Sequence, residues 1–211
     1  MKLCVFSDVH GNLCYFETAL AAWKAQGFER FYFLGDAVGY FPDGEAVIRR
    51  LRDLQAVCLL GNHDAMLLGT LPLPAEKDEV YQIAEAREHL RPETLAALRT
   101  WPKTLEESLD GLRIRFVHGT PADPLTGYGY EDTPLADLDQ IGLDFLFLGQ
   151  THRPWIRKAA HTTVVNVGSV GLPRDIGNRP SYAVLDTIEK TVSIHRLTAD
   201  PAPILNAPGR I

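Results

Sequence analysis

Short apolar runs alternate with segments of helical periodicity over the first third of the chain. Residues 2–6, 31–34 and 56–60 are apolar runs with branched and aromatic side chains, as expected of strands that are buried on both faces. Residues 13–26 and 45–54 repeat apolar side chains at helical spacing. Three such units in succession predict a parallel sheet and an α/β fold.

The segment from about residue 65 to residue 110 has a different pattern. Residues 75–90 are charged and favour a helix, and residues 91–93 begin another helix that Pro102 ends. The charges are most simply explained as a solvated helix face. We predict a helical insertion that covers the sheet or forms a subunit contact. In the second case the protein would form a homo-oligomer through this insertion.

The second half of the chain is rich in predicted strands. Residues 112–117, 144–148 and 164–166 are apolar runs, and residues 181–186 and 191–197 have the pattern of a closing hairpin. No internal repeat or linker interrupts this pattern. A single domain is therefore predicted over all 211 residues, a length that supports one sizeable core.

Composition narrows the class of protein. Hydrophobic residues make up 45% of the chain and charged residues 23%, as in globular proteins. The net charge of -6 makes nucleic acid an improbable partner. Three cysteines without paired spacing suggest reduced thiols. With neither a signal-peptide pattern nor an apolar run of membrane-spanning length, we expect a cytoplasmic protein without a membrane partner.

Side chains of the kinds that bind metals follow five of the predicted strands. A lone Asp-x-His such as Asp8 and His10 would most simply be polar loop residues, although two residues so spaced at a strand end point to the same side. Five such endings are harder to attribute to chance, and parallel strands end at one edge of a sheet. Carboxylate, imidazole and amide ligands together suit manganese, iron or zinc better than magnesium. The full set is Asp8, His10, Asp36, Asn62, His63, His118 and His152.

Two members of this set suggest specific roles. Asp36, midway through the set, is placed to bridge two metal ions, which would clamp the oxygens of a phosphoryl group and lower the pKa of a bridging water. His63 directly follows Asn62 and therefore points elsewhere, as a general acid or charge stabiliser. Asp64 either orients the His63 imidazole or caps a helix, and the residues alone leave both roles open.

The order and spacing of these motifs resemble the calcineurin-like metallophosphoesterases, and most closely their compact bacterial and archaeal branch of phosphodiesterases and phosphatases. The motifs are Asp-x-His, Gly-Asp, Gly-Asn-His-Asp, a lone His-Gly and Gly-x-Thr-His, and residues 166–174 are similar to an Asn-Pro-Gly-Ser-Val-Gly segment of that branch. The resemblance covers residues 2 to about 197. It implies a four-layer α/β/β/α sandwich of two mixed sheets, with a metal site at one edge.

The resemblance also implies roles for individual residues. It implies a first metal ion held by Asp8, His10, Asp36 and His152, and a second held by Asp36, Asn62 and His118. It further implies that His63 is catalytic and that Asn62 and His63 contact the substrate. Two divalent ions are expected as cofactors, with manganese first and iron, zinc or nickel as alternatives.

One position departs from the family pattern. Where the family usually has Gly-His-x-His, this chain has Gly149-Gln150-Thr151-His152. Gln150 offers the second metal an amide oxygen in place of an imidazole, and an amide oxygen is a weaker ligand for a borderline metal. The second metal is therefore expected to bind more weakly than the first.

The function predicted from these features is hydrolysis of a small-molecule phosphodiester or phosphomonoester by attack of metal-bound hydroxide. A nucleotide is the first candidate for the substrate. Tyr128 and Tyr130 either stack on a base or are ordinary loop aromatics, and the residues slightly favour the second role. The main alternative is a catalytically weak or silent metal-binding scaffold protein of the same fold, in which Gln150 marks lost chemistry. Retention of Asp36, Asn62 and His63 together argues against it, because a scaffold needs no charge-stabilising histidine. A third option, a nuclease, is weakened by the acidic charge balance and by the lack of a basic stripe.

Overall fold

A computed structural model describes residues 1–202, and residues 203–211, the end of the predicted domain, lie outside the described part. The strands are Lys2–Phe6 (β1), Arg30–Phe33 (β2), Val57–Cys58 (β3), Thr104–Leu109 (β4), Leu112–Val117 (β5), Phe145–Leu148 (β6), Trp155–Lys158 (β7), Thr163–Asn166 (β8), Ser181–Asp186 (β9) and Thr191–Arg196 (β10). The helices are Leu13–Trp23 (α1), Gly44–Asp53 (α2), Asn62–Leu67 (α3), Ala75–Tyr81 (α4), Ile83–His89 (α5), Pro92–Leu98 (α6) and Leu135–Leu138 (α7).

The strands form two mixed sheets of five strands each. In the first sheet the order is β10-β9-β1-β2-β3, with β1, β2 and β3 parallel and the hairpin of β9 and β10 antiparallel at one edge. The order in the second sheet is β4-β5-β6-β8-β7, with β5, β6 and β8 parallel and an antiparallel strand at each edge. The parallel strands of each sheet therefore end at a common edge, where ligand sites of α/β folds form.

The two sheets face each other across a shared apolar core. Alternate residues of β1 point in opposite directions, so Leu3 and Val5 pack between the sheets while Phe6 packs against the helices. Across the sheet interface, Tyr32 stacks on Phe116 with ring centroids 4.3 Å apart and an angle of 5° between the planes. Burial on both faces explains why these strands are continuous apolar runs.

Helices cover the outer face of each sheet. Trp23, Leu51, Ile83 and Leu98 of α1, α2, α5 and α6 join one buried cluster on the first sheet. On the second sheet, Leu138 of the short helix α7 packs into a smaller cluster. The predicted four-layer α/β/β/α sandwich of two mixed sheets is confirmed.

The helical segment differs from the single helix expected over residues 75–90. The helix is interrupted at Gln82, which adopts a left-handed conformation with φ 55°. The Asp78 carboxylate accepts hydrogen bonds from the backbone N–H groups of Ile83 at 2.6 Å and Ala84 at 3.2 Å, and so caps α5. A side chain that caps a new helix competes with continuation of the old one, which explains the break.

Candidate functional site

The described structure brings all the predicted ligand residues to one edge of the sandwich. Asp8 and His10 follow β1, Asp36 follows β2, and the remaining residues follow β3, β5 and β6. Every one of these side chains is buried. The residues gathered at this edge are Asp8, His10, Asp36, Asn62, His63, His118, Gln150 and His152.

The backbone at this edge holds several of these residues in an unfavourable conformation. Ten residues other than glycine have positive φ within residues 1–202, and five of them belong to the predicted ligand set. A left-handed conformation costs a residue with a side chain about 1–3 kcal/mol, and such residues concentrate at functional sites. The five are Asp8 (57°), His10 (53°), Asp36 (64°), Gln150 (66°) and His152 (58°).

Three of the imidazoles are oriented in the same way. In each, Nδ1 lies within hydrogen-bond distance of a backbone carbonyl, so the N–H is assigned to Nδ1 and the Nε2 lone pair points into the site. The pairs are His10 with Val38 at 3.1 Å, His118 with Leu34 at 3.1 Å, and His152 with Leu172 at 2.6 Å. This is the arrangement that histidine ligands of metals usually have.

The first group of ligands consists of Asp8, His10 and His152. The Nε2 atoms of His10 and His152 are 3.1 Å apart, and Asp8 Oδ1 lies 3.1 Å from His152 Nε2 and 3.6 Å from His10 Nε2. Asp8 Oδ1 is buried and has no hydrogen-bond partner among the described residues. Two imidazole lone pairs and a carboxylate oxygen that face one another require a cation between them, so the residues fit a bound metal ion.

The second group is built around His118. Its Nε2 lies 2.9 Å from Asn62 Oδ1, 2.9 Å from Gln150 Oε1 and 3.4 Å from Asp36 Oδ2. The Gln150 amide is oriented by its Nε2, which donates to the carbonyl of Leu125 at 3.4 Å. Three oxygens and one imidazole nitrogen also form a set suited to a cation, with neutral amides as two of the donors.

Asp36 lies between the two groups. Its Oδ1 accepts a hydrogen bond from the backbone N–H of His63 at 2.8 Å, whereas its buried Oδ2 has no hydrogen-bond partner within residues 1–202. Oδ2 lies 3.6 Å from His10 Nε2 and 3.4 Å from His118 Nε2. Gly61 makes this position possible, because a Cβ there would lie 2.2 Å from Asp36 Oδ1. The side chain is thus positioned to be shared by two ions.

The charges of the site favour cations. Burial disfavours ionised Asp36, but the imidazoles of His118 and His63 outweigh this effect and hold the pKa of the carboxyl well below its usual range. Burial lowers the pKa of His118, but the carboxylates of Asp36 and Asp8 outweigh it and raise that pKa to about 10. The field of the two carboxylates therefore attracts positive charge to the position of His118 Nε2, either a proton or a metal ion.

His63 lies beside both groups in an aromatic enclosure. Its ring centroid is 4.7 Å from that of His10, 5.2 Å from that of Tyr40 and 4.4 Å from that of Tyr81. Burial lowers the pKa of His63 to about 3, so its imidazole is neutral near pH 7. His63 Nδ1 is buried, and no hydrogen-bond partner for it lies in the described part of the chain. The ring is therefore available to exchange a hydrogen bond or a proton with a bound molecule.

Asp64 has a backbone-binding role. Its carboxylate accepts hydrogen bonds from the N–H groups of Asp36 at 2.8 Å, Ala37 at 3.0 Å and Gly61 at 3.1 Å. It thus caps α3 and fixes the loop that carries Asp36. Of the two roles left open by the sequence, the described contacts support the cap and show no bond to the His63 ring.

Several residues around the site were not identified from the sequence. Tyr40, Tyr81 and Arg174 adjoin His63 and His152, and the Arg174 guanidinium donates to the Tyr40 hydroxyl at 2.9 Å. Tyr81 belongs to the predicted helical insertion, so its approach to the site depends on tertiary packing. Arg174 is the last residue of the segment 166–174 that resembles the family, and only this position could have indicated a role for it.

Comparison with known proteins establishes the family. A sequence model of the calcineurin-like phosphoesterase superfamily domain matches residues 1–190. The chain belongs to this superfamily. The predicted resemblance is confirmed, and with it the family's metal-dependent phosphoesterase character. The candidate metal-binding groups of carboxylates and imidazoles are Asp8 with His10 and His152, His10 with Asp36 and His63, and Asp8 with Asp36 and His118.

Individual relatives agree with this assignment. The chain is 29% identical to the uncharacterized protein MJ0912 of Methanocaldococcus jannaschii, over 94% of this chain and 88% of the relative. It is 26% identical to the phosphodiesterase YfcE of Escherichia coli, over 88% of each protein. Among solved structures, a metallophosphoesterase from Sphaerobacter thermophilus superposes with a TM-score of 0.79 and 26% identity, over 96% of this chain and 90% of the other.

The helices were also compared with the requirements of a membrane span. Within residues 1–202, each helix falls short of the length and apolar character needed to cross a bilayer.

Proposed function

We propose that this superfamily member is a hydrolase of small-molecule phosphoesters that uses two divalent metal ions. The observation that carries the proposal is the position of Asp36 Oδ2, a buried oxygen without a hydrogen-bond partner among residues 1–202, which lies 3.6 Å from His10 Nε2 and 3.4 Å from His118 Nε2. When bound, two divalent ions supply Lewis-acid activation of water and of the phosphoryl group. Manganese is the first candidate, with iron, zinc and nickel as alternatives.

The remaining roles belong to side chains. Asp8, His10 and His152 would hold the first ion, Asn62, His118 and Gln150 the second, and Asp36 both. Asn62 is the most exposed side chain of the set at 7%, and its neighbour in the chain, His63, is 3% exposed, so a bound molecule can reach both. This supports the assignment of Asn62 and His63 to substrate contact.

His63 would act on the phosphoryl or leaving-group oxygen. As a neutral imidazole it carries one N–H, which stabilises charge that develops on an oxygen by a hydrogen bond. The rings of Tyr40 and Tyr81 restrict its rotation. Positioned general acids and bases of this kind typically contribute about 10²- to 10⁴-fold in rate.

A small-molecule substrate is favoured over a nucleic acid. The net charge is -6 and the ligand side chains are buried, so a long polyanion gains little from the surface. The similarity to YfcE makes phosphodiesters the first esters to test. A nucleotide substrate, cytoplasmic location and self-association through the helical insertion are further parts of the proposal, and they rest on the sequence alone.

The proposal is tested by turnover of a generic phosphodiester and a generic phosphomonoester. Metal-depleted protein is assayed with manganese, nickel, zinc or magnesium added separately. We expect hydrolysis of at least one ester that depends on added metal and is abolished by a chelator. Metal binding without turnover of either ester would support the scaffold alternative.

A further inference from the structure

Arg174 places a positive charge beside the site, and no carboxylate within the described part of the chain forms an ion pair with it. The adjacent Asp175 pairs instead with Arg196 at 2.8 Å. None of the ion pairs within residues 1–202 includes Arg174, whereas six other arginines in this part of the chain form one. The guanidinium has five N–H donors, and only the one on Tyr40 has an acceptor among the described residues. An anion therefore has donors to bind here.

The side chain is held toward the metal ligands by Tyr40. Arg174 Nη2 donates to Tyr40 Oη at 2.9 Å, and the Tyr40 ring stacks on His63 and meets His10 edge-on at a centroid distance of 4.9 Å. Burial raises the pKa of Tyr40 to about 12, so the hydroxyl stays neutral and accepts this bond at physiological pH. Arg174 is thus only one aromatic ring away from a predicted ligand and from the predicted catalytic histidine.

The backbone of the same segment is fastened to the site. The N–H of Arg174 donates to the carbonyl of His152 at 3.2 Å, and the N–H of Gly171 donates to that of Asp8 at 2.9 Å. A Cβ at Gly171 would lie 1.8 Å from the carbonyl oxygen of Val9, so only glycine allows this approach. Although Arg174 is exposed, its position is therefore fixed by two of the ligand loops.

We propose that Arg174, held by Tyr40, binds a non-bridging oxygen of the substrate phosphoryl group and favours phosphomonoesters over phosphodiesters. This rests on the proposed function. A phosphomonoester dianion has three non-bridging oxygens and a diester monoanion has two. A guanidinium beside the metal ligands therefore meets an extra oxygen and an extra charge only in the monoester, and charge-assisted bonds from arginine are among the strong ones.

The test measures the ratio of kcat/KM for p-nitrophenyl phosphate to that for bis(p-nitrophenyl) phosphate in the metal-loaded protein. For Arg174→Gln we expect the ratio to fall by about 10- to 100-fold, the range for loss of a hydrogen bond to a charged group. Arg174→Lys should keep part of the wild-type ratio, because lysine retains the positive charge but lacks the paired N–H donors of the planar guanidinium. Tyr40→Phe, which removes only the positioning hydroxyl, should lower the ratio less.

Arg99→Gln is the matched control, because Arg99 is an exposed arginine at the end of α6 and its loss changes the net charge equally. Metal content should be the same in all variants. An unchanged ratio in Arg174→Gln, or an equal fall in Arg99→Gln, would overturn the proposal.

A second measurement does not depend on turnover. Binding of inorganic phosphate to the metal-loaded protein is measured by calorimetry, and Arg174→Gln should bind it about 10-fold more weakly than wild type. Equal affinities would contradict the assignment of Arg174. If the wild type hydrolyses neither ester, the proposed function fails, whereas the difference in phosphate affinity still decides whether Arg174 binds the anion.

Discussion

The two ligand groups of the site differ in the chemistry of their donors. The first group offers one carboxylate and two imidazoles, from Asp8, His10 and His152. The second offers one imidazole, from His118, and two amide oxygens. Both share Asp36. The same edge of the sandwich thus carries a first group with more nitrogen donors and a charged carboxylate, beside a second group whose own donors are mostly neutral oxygens.

This difference determines how each group exists without a metal. In the first, the Nε2 atoms of His10 and His152 face each other at 3.1 Å, and Asp8 Oδ1 lies 3.1 Å from His152 Nε2, so a cation, either a proton or a metal ion, is needed among these three atoms. In the second, a proton on His118 can be donated to one of the surrounding oxygens. We infer that the first position holds its metal more tightly, since amide oxygens are weaker ligands for borderline metals.

The largest expected effect comes from removing the residue that both groups share. Asp36→Asn takes away the charge that faces both His10 and His118, so we expect loss of metal from both positions and turnover at the level of metal-free protein. Metal content by elemental analysis, together with ester hydrolysis, checks this. Asp53→Asn, a substitution of an exposed aspartate on α2, is the control. Retention of most metal and activity in Asp36→Asn would contradict a shared ligand.

A change that spares both groups should separate metal binding from chemistry. His63→Ala is expected to keep wild-type metal content and to lose about 10²- to 10⁴-fold in kcat, because His63 acts on the substrate and not on the ions. His89→Ala, at an exposed histidine of α5, should change neither quantity. If metal and activity fall together in His63→Ala, His63 is a ligand instead.

Removal of metal should also lower the stability of the fold. A ligand that binds only the folded state at 100 times its Kd stabilises it by about 2.7 kcal/mol, equivalent to roughly 5–10 °C in Tm for a chain of this size. We expect a chelator to lower the Tm of the wild type by an amount in this range. The same treatment of Asp36→Asn should shift Tm by less, and equal shifts would show that the metals responsible bind elsewhere.

Sequence patterns predicted that the candidate ligands would lie together, because each of them follows an apolar strand. Parallel strands end at one edge, so residues such as Asp8 and His118 were expected to meet although they lie far apart in the chain. The break at Gln82 was not foreseen, because it depends on capping by Asp78. The edge strands β4 and β7 were also missed, since in β4 exposed and half-buried residues alternate and two of the six residues are charged.

The residues that surround His63 could not be predicted from the sequence for a similar reason. Tyr81 lies in the helical insertion and reaches the site only through tertiary packing, in which its carbonyl accepts the N–H of Tyr40 at 2.7 Å. Arg174 comes near the ligands through a loop whose path depends on close contact of Gly171 with Val9. Loop geometry of this kind leaves no periodic signal in the residues.

The most direct test of the inequality between the two groups is a metal titration of wild type and Gln150→His. The substitution replaces an amide oxygen, 2.9 Å from His118 Nε2, by an imidazole. Metal-depleted proteins are titrated with manganese, with both stoichiometry and ester hydrolysis measured. We predict one tight and one weak site in the wild type, and in Gln150→His a second site tighter on the order of 10-fold, within the range that even outer-shell changes produce. Superimposable curves, or two filled sites in untreated wild type, would contradict a weakened second position.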